Sequence, residues 1–276
     1  MRFKKKPGMT LVEVLVAIVI GVISVAAVFY SYNIFNKSYQ SVADKAKMNS
    51  SSRNALSMIL KDLRNAGYCD INYNSSCDRL IEKKDNHYAE VKNYKVNFYQ
   101  SYQIGGTDYL SIEYNSSPQM RKEIRYYLAA YDRNSLKEAN GRSIFYLARE
   151  VIEKQIGKNQ KKVYCKKYRN QTDCAPIMIT PFVSDFQVVF KDVNGKELND
   201  VCFDCSSQTA KDNQKKIHTA EIYLTARSSH QIYSADKEVI ITNHDSNKKG
   251  LKQTITDRYH RETFFASAYL RNIVRN

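Results

Sequence analysis

From Met9 to Tyr32 the chain is almost unbroken apolar sequence, MTLVEVLVAIVIGVISVAAVFYSY, and Glu13 is the one side chain in it charged at neutral pH. At about 1.5 Å per helical residue this stretch covers the roughly 30 Å hydrocarbon layer of a bilayer, so it predicts a membrane-spanning helix over residues 9–32. An acid near the start of such a helix is costly in lipid and marks a functional residue that needs a partner. Beyond the span the sequence turns polar but keeps a helical period. Val42, Ala46, Met48, Ala55, Met58, Ile59 and Leu63 fall at approximately helical spacing between Ser41 and Asn65, with no proline or glycine to interrupt them. One helix is therefore predicted from Met9 to about Arg64, roughly 80 Å long at about 1.5 Å per residue. Its second half, residues 33–65, carries a stripe too narrow for a membrane and suited to lying on a sheet. Ala66-Gly67 supplies the stop, because glycine takes at little cost the left-handed conformation that closes a helix.

Past Gly67 the period changes to two. Tyr94 to Phe98, Tyr109 to Tyr114, Ile124 to Leu128, Phe186 to Phe190, Ile222 to Ala226 and Val239 to Thr242 read as strands. Gly105-Gly106, Ser116-Ser117-Pro118 and Val193-Asn194-Gly195 supply turns between them. Near the C-terminus Phe265, Ser267 and Tyr269 alternate with Phe264, Ala266, Ala268 and Leu270, so both faces are largely apolar and a central strand is predicted. The polar tracts Asn72 to Ser76 and Ser206 to Lys216 are predicted as mobile loops. The fold class is α+β: a long N-terminal helix packed on an antiparallel sheet in a head spanning residues 66–276.

Ahead of the helix stands a short leader, MRFKKKPG. Lys4, Lys5 and Lys6 hold this end in the cytoplasm by the positive-inside bias, which places the head on the other side. A secretory signal would carry its small-residue cleavage site after the apolar core, whereas Gly8-Met9 precedes it. A plain anchor accounts for the length and the lysines but not for Gly8-Met9 together with Glu13. The run of basic residues, Gly8, a hydrophobic Met9 and then Thr10-Leu11-Val12-Glu13 resembles the class III leader of type IV prepilins and type II secretion pseudopilins. That resemblance implies cleavage after Gly8 by a prepilin peptidase, with residues 1–8 removed and Met9 becoming an N-methylated first residue. It implies also that Glu13 is an assembly residue, pairing with the mature N-terminal amine of another subunit. A buried acid is tolerated when paired in this way. Pro7 stands where many leaders have a basic residue, and Tyr30 where major pilins often carry a helix-breaking proline.

Three further stretches are similar to PilW-type minor pilins: Leu60 to Tyr68 before Cys69 resembles their helix exit, Pro181 to Phe190 their sheet, and Arg261 to Asn272 their terminal strand. The function implied is a minor pilin that primes or caps a type IV pilus. Alternatives are a type II secretion pseudopilin and a DNA-binding competence pilin. Partners implied are the prepilin peptidase, other major and minor pilins, an inner-membrane assembly platform and membrane lipid. The protein would sit in the inner membrane with its head in the periplasm, then at a pilus tip or the cell surface.

Catalysis is not expected. His87, His218, His230, His244 and His260 sit in polar contexts, and the chain has no H-x-x-x-H, no G-x-S-x-G and no phosphate-binding loop, so no enzyme, cofactor or metal is predicted. Asp192 to Glu197 faintly resembles a calcium loop but lacks its ladder of acids, and a hairpin turn at Asn194-Gly195 explains it. The formal charge is +15. Lys161, Lys162, Lys166 and Lys167, close to Arg169, Tyr164 and Tyr168, are the candidate DNA-binding residues, since lysines can neutralise phosphates while aromatic rings stack on bases. The plainer reading of such a cluster is a solvated face.

Six cysteines, Cys69, Cys77, Cys165, Cys174, Cys202 and Cys205, all follow the membrane segment. An even number outside the cytoplasm reads as disulfides, and closeness in sequence favours Cys69–Cys77, Cys165–Cys174 and Cys202–Cys205. A zinc site using Cys202-x-x-Cys205 is the rival, without a matching C-x-x-C elsewhere. Alkylation under denaturing conditions without reductant should therefore label none of the six, and each closure should stabilise the head by about 2–4 kcal/mol. Free thiols at Cys202 and Cys205 with stoichiometric zinc would reverse the assignment.

Overall fold

The computed structural model describes residues 9–68, 81–85, 107–117, 120–130, 144–155, 176–198, 201, 208–242 and 252–271. Two compact units divide the chain, residues 1–46 and 47–276. Helix α1 runs Leu11–Asn65, within two residues of the predicted bounds at either end. Its stop is the expected one. Gly67 has φ 73°, the N–H of Ala66 bonds back to Leu63 O at 3.1 Å, and that of Tyr68 to Asn65 O at 3.1 Å. The exit is then stitched to the sheet. Gly67 N–H donates to Glu113 O at 3.0 Å, and Tyr68 O accepts from Asn115 N–H at 2.8 Å.

In the second unit Met48, Ser52, Ala55, Leu56, Ile59, Asp62 and Leu63 form the buried face of α1. They recur at three- and four-residue steps, the period of one helix face. Met48, Ala55, Ile59 and Leu63 were legible as that stripe. Val42, Ala46 and Met58 fall off it and are exposed.

The predicted single sheet is three sheets among the described residues. In the first, β1 (Ile81–Asp85), β2 (Asp108–Ser117), β3 (Met120–Ala130), β4 (Phe145–Gln155) and β5 (Ile177–Thr180) follow one another in chain order, each antiparallel to the next. The second has the order β11-β8-β6-β7, built from β6 (Val183–Lys191), β7 (Glu197–Leu198), β8 (Thr219–Arg227) and β11 (Arg261–Tyr269). Strands β9 (Lys237–Thr242) and β10 (Lys252–Asp257) pair with each other alone. Alternate residues of the two larger sheets, among them Leu110, Ile124, Phe186 and Leu224, share one core with α1 from Met48 onward.

Two expectations are corrected. The tract from Ser206 to Lys216, read as a loop, contains helix α2 (Gln208–Lys216), whose Ala, Gln and Lys residues favour a helix despite their polarity. Among the described residues strand β11 is an edge strand, not a central one. Phe264, Ala268 and Leu270 are buried, while Phe265 and Tyr269 stay 55% and 46% exposed. The outer aromatics pack sideways along the pleated surface and need no covering layer. Phe265 lies directly opposite Tyr223 with ring centroids 5.0 Å apart, and Tyr269 meets the His218 ring edge-on at 4.4 Å. The predicted strand over Tyr94 to Phe98, the turn at Gly105-Gly106 and the loop over Asn72 to Ser76 lie outside the described residues. The hairpin turn at Asn194-Gly195 is present: Asp192 Oδ1 accepts from the N–H groups of Asn194 and Lys196, at 2.8 and 2.9 Å, and Gly195 has φ 78°.

Several buried polar groups have charged partners. Asp62 of α1 accepts from the Tyr126 hydroxyl of β3, and from Nε and Nη2 of Arg149 in β4 at 3.0 and 2.9 Å; Arg149 Nε also lies 3.1 Å from Tyr126 Oη. Burial, the Asp62 charge and the bond to it push the Tyr126 phenol above its ordinary range. On the opposite face of the same sheet, Arg125 bridges Glu123 and Glu150, whose carboxyl is pushed up by burial although Arg125 pulls it down. At the base of the β9–β10 hairpin Arg261 clasps Asp257 with both nitrogens of its fork, and the buried Arg227 guanidinium lies 4.1 Å from the Tyr259 ring centroid and 5.2 Å from that of Phe182.

The Asp62 contact gives a direct stability test. Asp62→Leu should destabilise the full chain in detergent by about 3 kcal/mol, because it strands a largely buried guanidinium, and most of the loss should return in the double variant Asp62→Leu/Arg149→Met. Thermal unfolding of the native chain, Asp62→Leu, Arg149→Met and the double variant measures the cycle; a double variant no more stable than Asp62→Leu would show that the ion pair is not what the helix loses.

Candidate assembly site on the N-terminal helix

Along residues 9–40 every side chain of the first unit is exposed. Leu11, Val12, Ile18, Val25, Phe29 and Phe35 each leave more than half of their surface uncovered. Such a surface in water would be a large apolar patch, which soluble monomers do not carry. Within the span Ser24 Oγ donates to Ile20 O at 2.8 Å, satisfied by the helix's own backbone. The helix is long and apolar enough to cross a membrane.

Glu13 sits in the first turn and does not stand alone. Thr10 is the residue just before the helix, and Glu13 is its third helical position. The Thr10 N–H donates to Glu13 Oε2 at 2.8 Å, the Thr10 hydroxyl donates to the same oxygen at 3.0 Å, and the Glu13 N–H donates to Thr10 Oγ1 at 3.3 Å. This reciprocal arrangement is a capping box: it satisfies two of the amide donors that a helix start leaves open and sets a carboxylate at the positive end of the helix dipole. Among the described residues Glu13 Oε1 makes no hydrogen bond or ion pair. One side chain therefore carries both a resident set of donors and an unused acceptor.

Sequence reasoning singled out Glu13 and passed over Thr10, although Thr-x-x-Glu ahead of an apolar run is the signature of such a box. Met9 immediately precedes the cap. Gly8, the cysteines Cys69, Cys77, Cys165, Cys174, Cys202 and Cys205, and the lysines Lys161, Lys162, Lys166 and Lys167 lie outside the described residues. Of the histidines, His218 packs against Tyr269, His230 Nδ1 lies 3.0 Å from Ser229 Oγ, and His260 Nδ1 lies 2.8 Å from Tyr233 Oη. Among the described residues no group of three or more His, Cys, Asp or Glu side chains is placed to hold a metal ion.

No curated protein matches the chain. Among solved structures, a type IV-like pilin from Thermus thermophilus is similar over 83% of this chain and 98% of that one, at 11% identity and a TM-score of 0.42; a likeness that loose carries no argument about this chain. The match that bears on the site is local: residues 3–29 fit the prokaryotic N-terminal methylation motif. The stretch that holds Met9, Thr10 and Glu13 is thus a prokaryotic N-terminal methylation motif at the head of an exposed apolar helix.

Proposed function

We propose that this chain is a minor pilin of the PilW type, a non-catalytic subunit that primes or caps a type IV pilus. One observation carries the reading: the methylation motif over residues 3–29 runs into a helix whose apolar side chains are uncovered and whose first turn holds a lone acid. In this reading a prepilin peptidase cuts after Gly8 on the cytoplasmic face, and the new amine of Met9 is methylated. Residues 9–32 hold the subunit in the inner membrane, with the disulfide-stapled head from residue 66 onward outside it. Assembly then exchanges lipid for neighbouring helices along Leu11 to Phe35, which replaces one apolar environment by another at little hydrophobic gain. Specific register must come from a polar contact, and Glu13 with a neighbour's amine supplies it: two opposite charges in hydrocarbon gain far more from each other than in water.

N-terminal mass analysis of the membrane-extracted protein should find a chain that begins at methylated Met9. Glu13→Gln should insert and be processed normally, yet be lost from sheared filaments. An intact leader in cells with active peptidase, or normal incorporation of the Glu13→Gln subunit, contradicts the reading. A deletion strain scored together for surface pili and exported hydrolases distinguishes a pilus subunit from a secretion pseudopilin.

A further inference from the structure

The capping box poses a question that the amine partner leaves open: what holds the Glu13 carboxylate while the subunit waits in the membrane as a monomer. An acid that enters hydrocarbon with no partner is strongly disfavoured. In this chain it already has one. Thr10 gives Oε2 two donors, its backbone N–H at 2.8 Å and its hydroxyl at 3.0 Å, and the hydroxyl is itself held by the Glu13 N–H at 3.3 Å. Both Thr10 donors converge on one carboxylate oxygen, Oε2. A carboxylate offers about four acceptor positions, so Oε1 remains open to a further donor without any of the Thr10 bonds breaking.

We infer that Thr10 is the positioning residue for Glu13: its hydroxyl keeps the acid hydrogen-bonded through Oε2 before assembly and presents Oε1 to the incoming amine. The inference rests on the assembly role proposed for Glu13. Preorganisation is the physical gain, since a carboxylate locked in one orientation loses less freedom when the amine arrives than one free to rotate. The backbone donor survives any substitution at position 10, so the hydroxyl is the part that residue choice controls. Serine keeps the oxygen and its proton, whereas valine keeps the β-branched shape and loses both.

The test follows three full-length variants, Thr10→Val, Thr10→Ser and Glu13→Gln, each measured for membrane extraction, N-terminal cleavage and the amount of subunit in sheared filaments. Thr10→Val should be extracted and cleaved like the native chain but reach filaments about fivefold less, the factor expected for losing a typical N-cap hydroxyl. Thr10→Ser should restore incorporation to within about twofold, as the near-equivalence of serine and threonine at caps implies. Native incorporation of Thr10→Val, with Glu13→Gln excluded from filaments, would overturn the role of Thr10 while leaving that of Glu13 intact. Failure of Thr10→Ser to rescue would also overturn it, by tying the effect to the threonine methyl group instead of the hydroxyl. Normal incorporation of Glu13→Gln would remove the assembly contact itself, and this inference with it.

Discussion

A single carboxylate, Asp62, sets how α1 lies on the sheets of the head. It occupies the helix face that also carries Ile59 and Leu63, both wholly out of solvent, and it is tied at once to Arg149 of β4 and to Tyr126 of β3. Apolar packing alone would let a helix slide or turn by part of a residue at modest cost, since one aliphatic side chain can replace another against a sheet. A buried carboxylate cannot do so, because leaving its donors strands a charge. The contact therefore fixes helix rotation, and with it which face of α1 meets the core. The backbone bonds from Gly67 and Tyr68 to β2 then fix where the chain leaves the helix.

The first unit works under the opposite condition. Its helix carries apolar residues all round and satisfies its own backbone, as a structure destined for hydrocarbon must. Among the described residues these side chains are uncovered. In the first turn of the helix Thr10 and Glu13 bond each other. Both Thr10 donors fall on one oxygen of the Glu13 carboxylate, Oε2.

The rest of the head shows the same economy with charge. Arg125 is shared by Glu123 and Glu150 across β3 and β4, Arg261 clasps Asp257, and Arg227 lies against two aromatic rings. The Asp257 carboxyl is held below its usual range: burial alone would raise it, but the hydrogen bond and charge of Arg261, the Tyr259 amide and the Arg227 charge outweigh burial. The first joins β3 to β4, and the second ties the end of β10 to the start of β11.

Local pattern alone determined the long helix, its stop at Ala66-Gly67, the Asn194-Gly195 turn and six of the strands, because in each the period or the turn residue is set by steric rules that act over a few residues. It also picked out Gly8-Met9 and Glu13 at the head of the apolar run, within the stretch that fits the N-terminal methylation motif. Thr10 was legible by the same logic. Only the tertiary structure decided the rest. Strand β4, Phe-Tyr-Leu-Ala-Arg-Glu-Val-Ile-Glu-Lys-Gln, is made largely of good helix formers, and its buried Glu150 breaks the alternation that marks a half-buried strand; pairing with β3 and the ion pair to Arg125 override both signals. Strand β11 has apolar residues on both faces, and whether it lies inside a sheet or at its rim depends on which strands pair with it, a long-range matter that no local period records. Asp62 reads in sequence as one more polar residue near a helix end, and its role exists only because the fold brings Tyr126 and Arg149 to the same few ångströms.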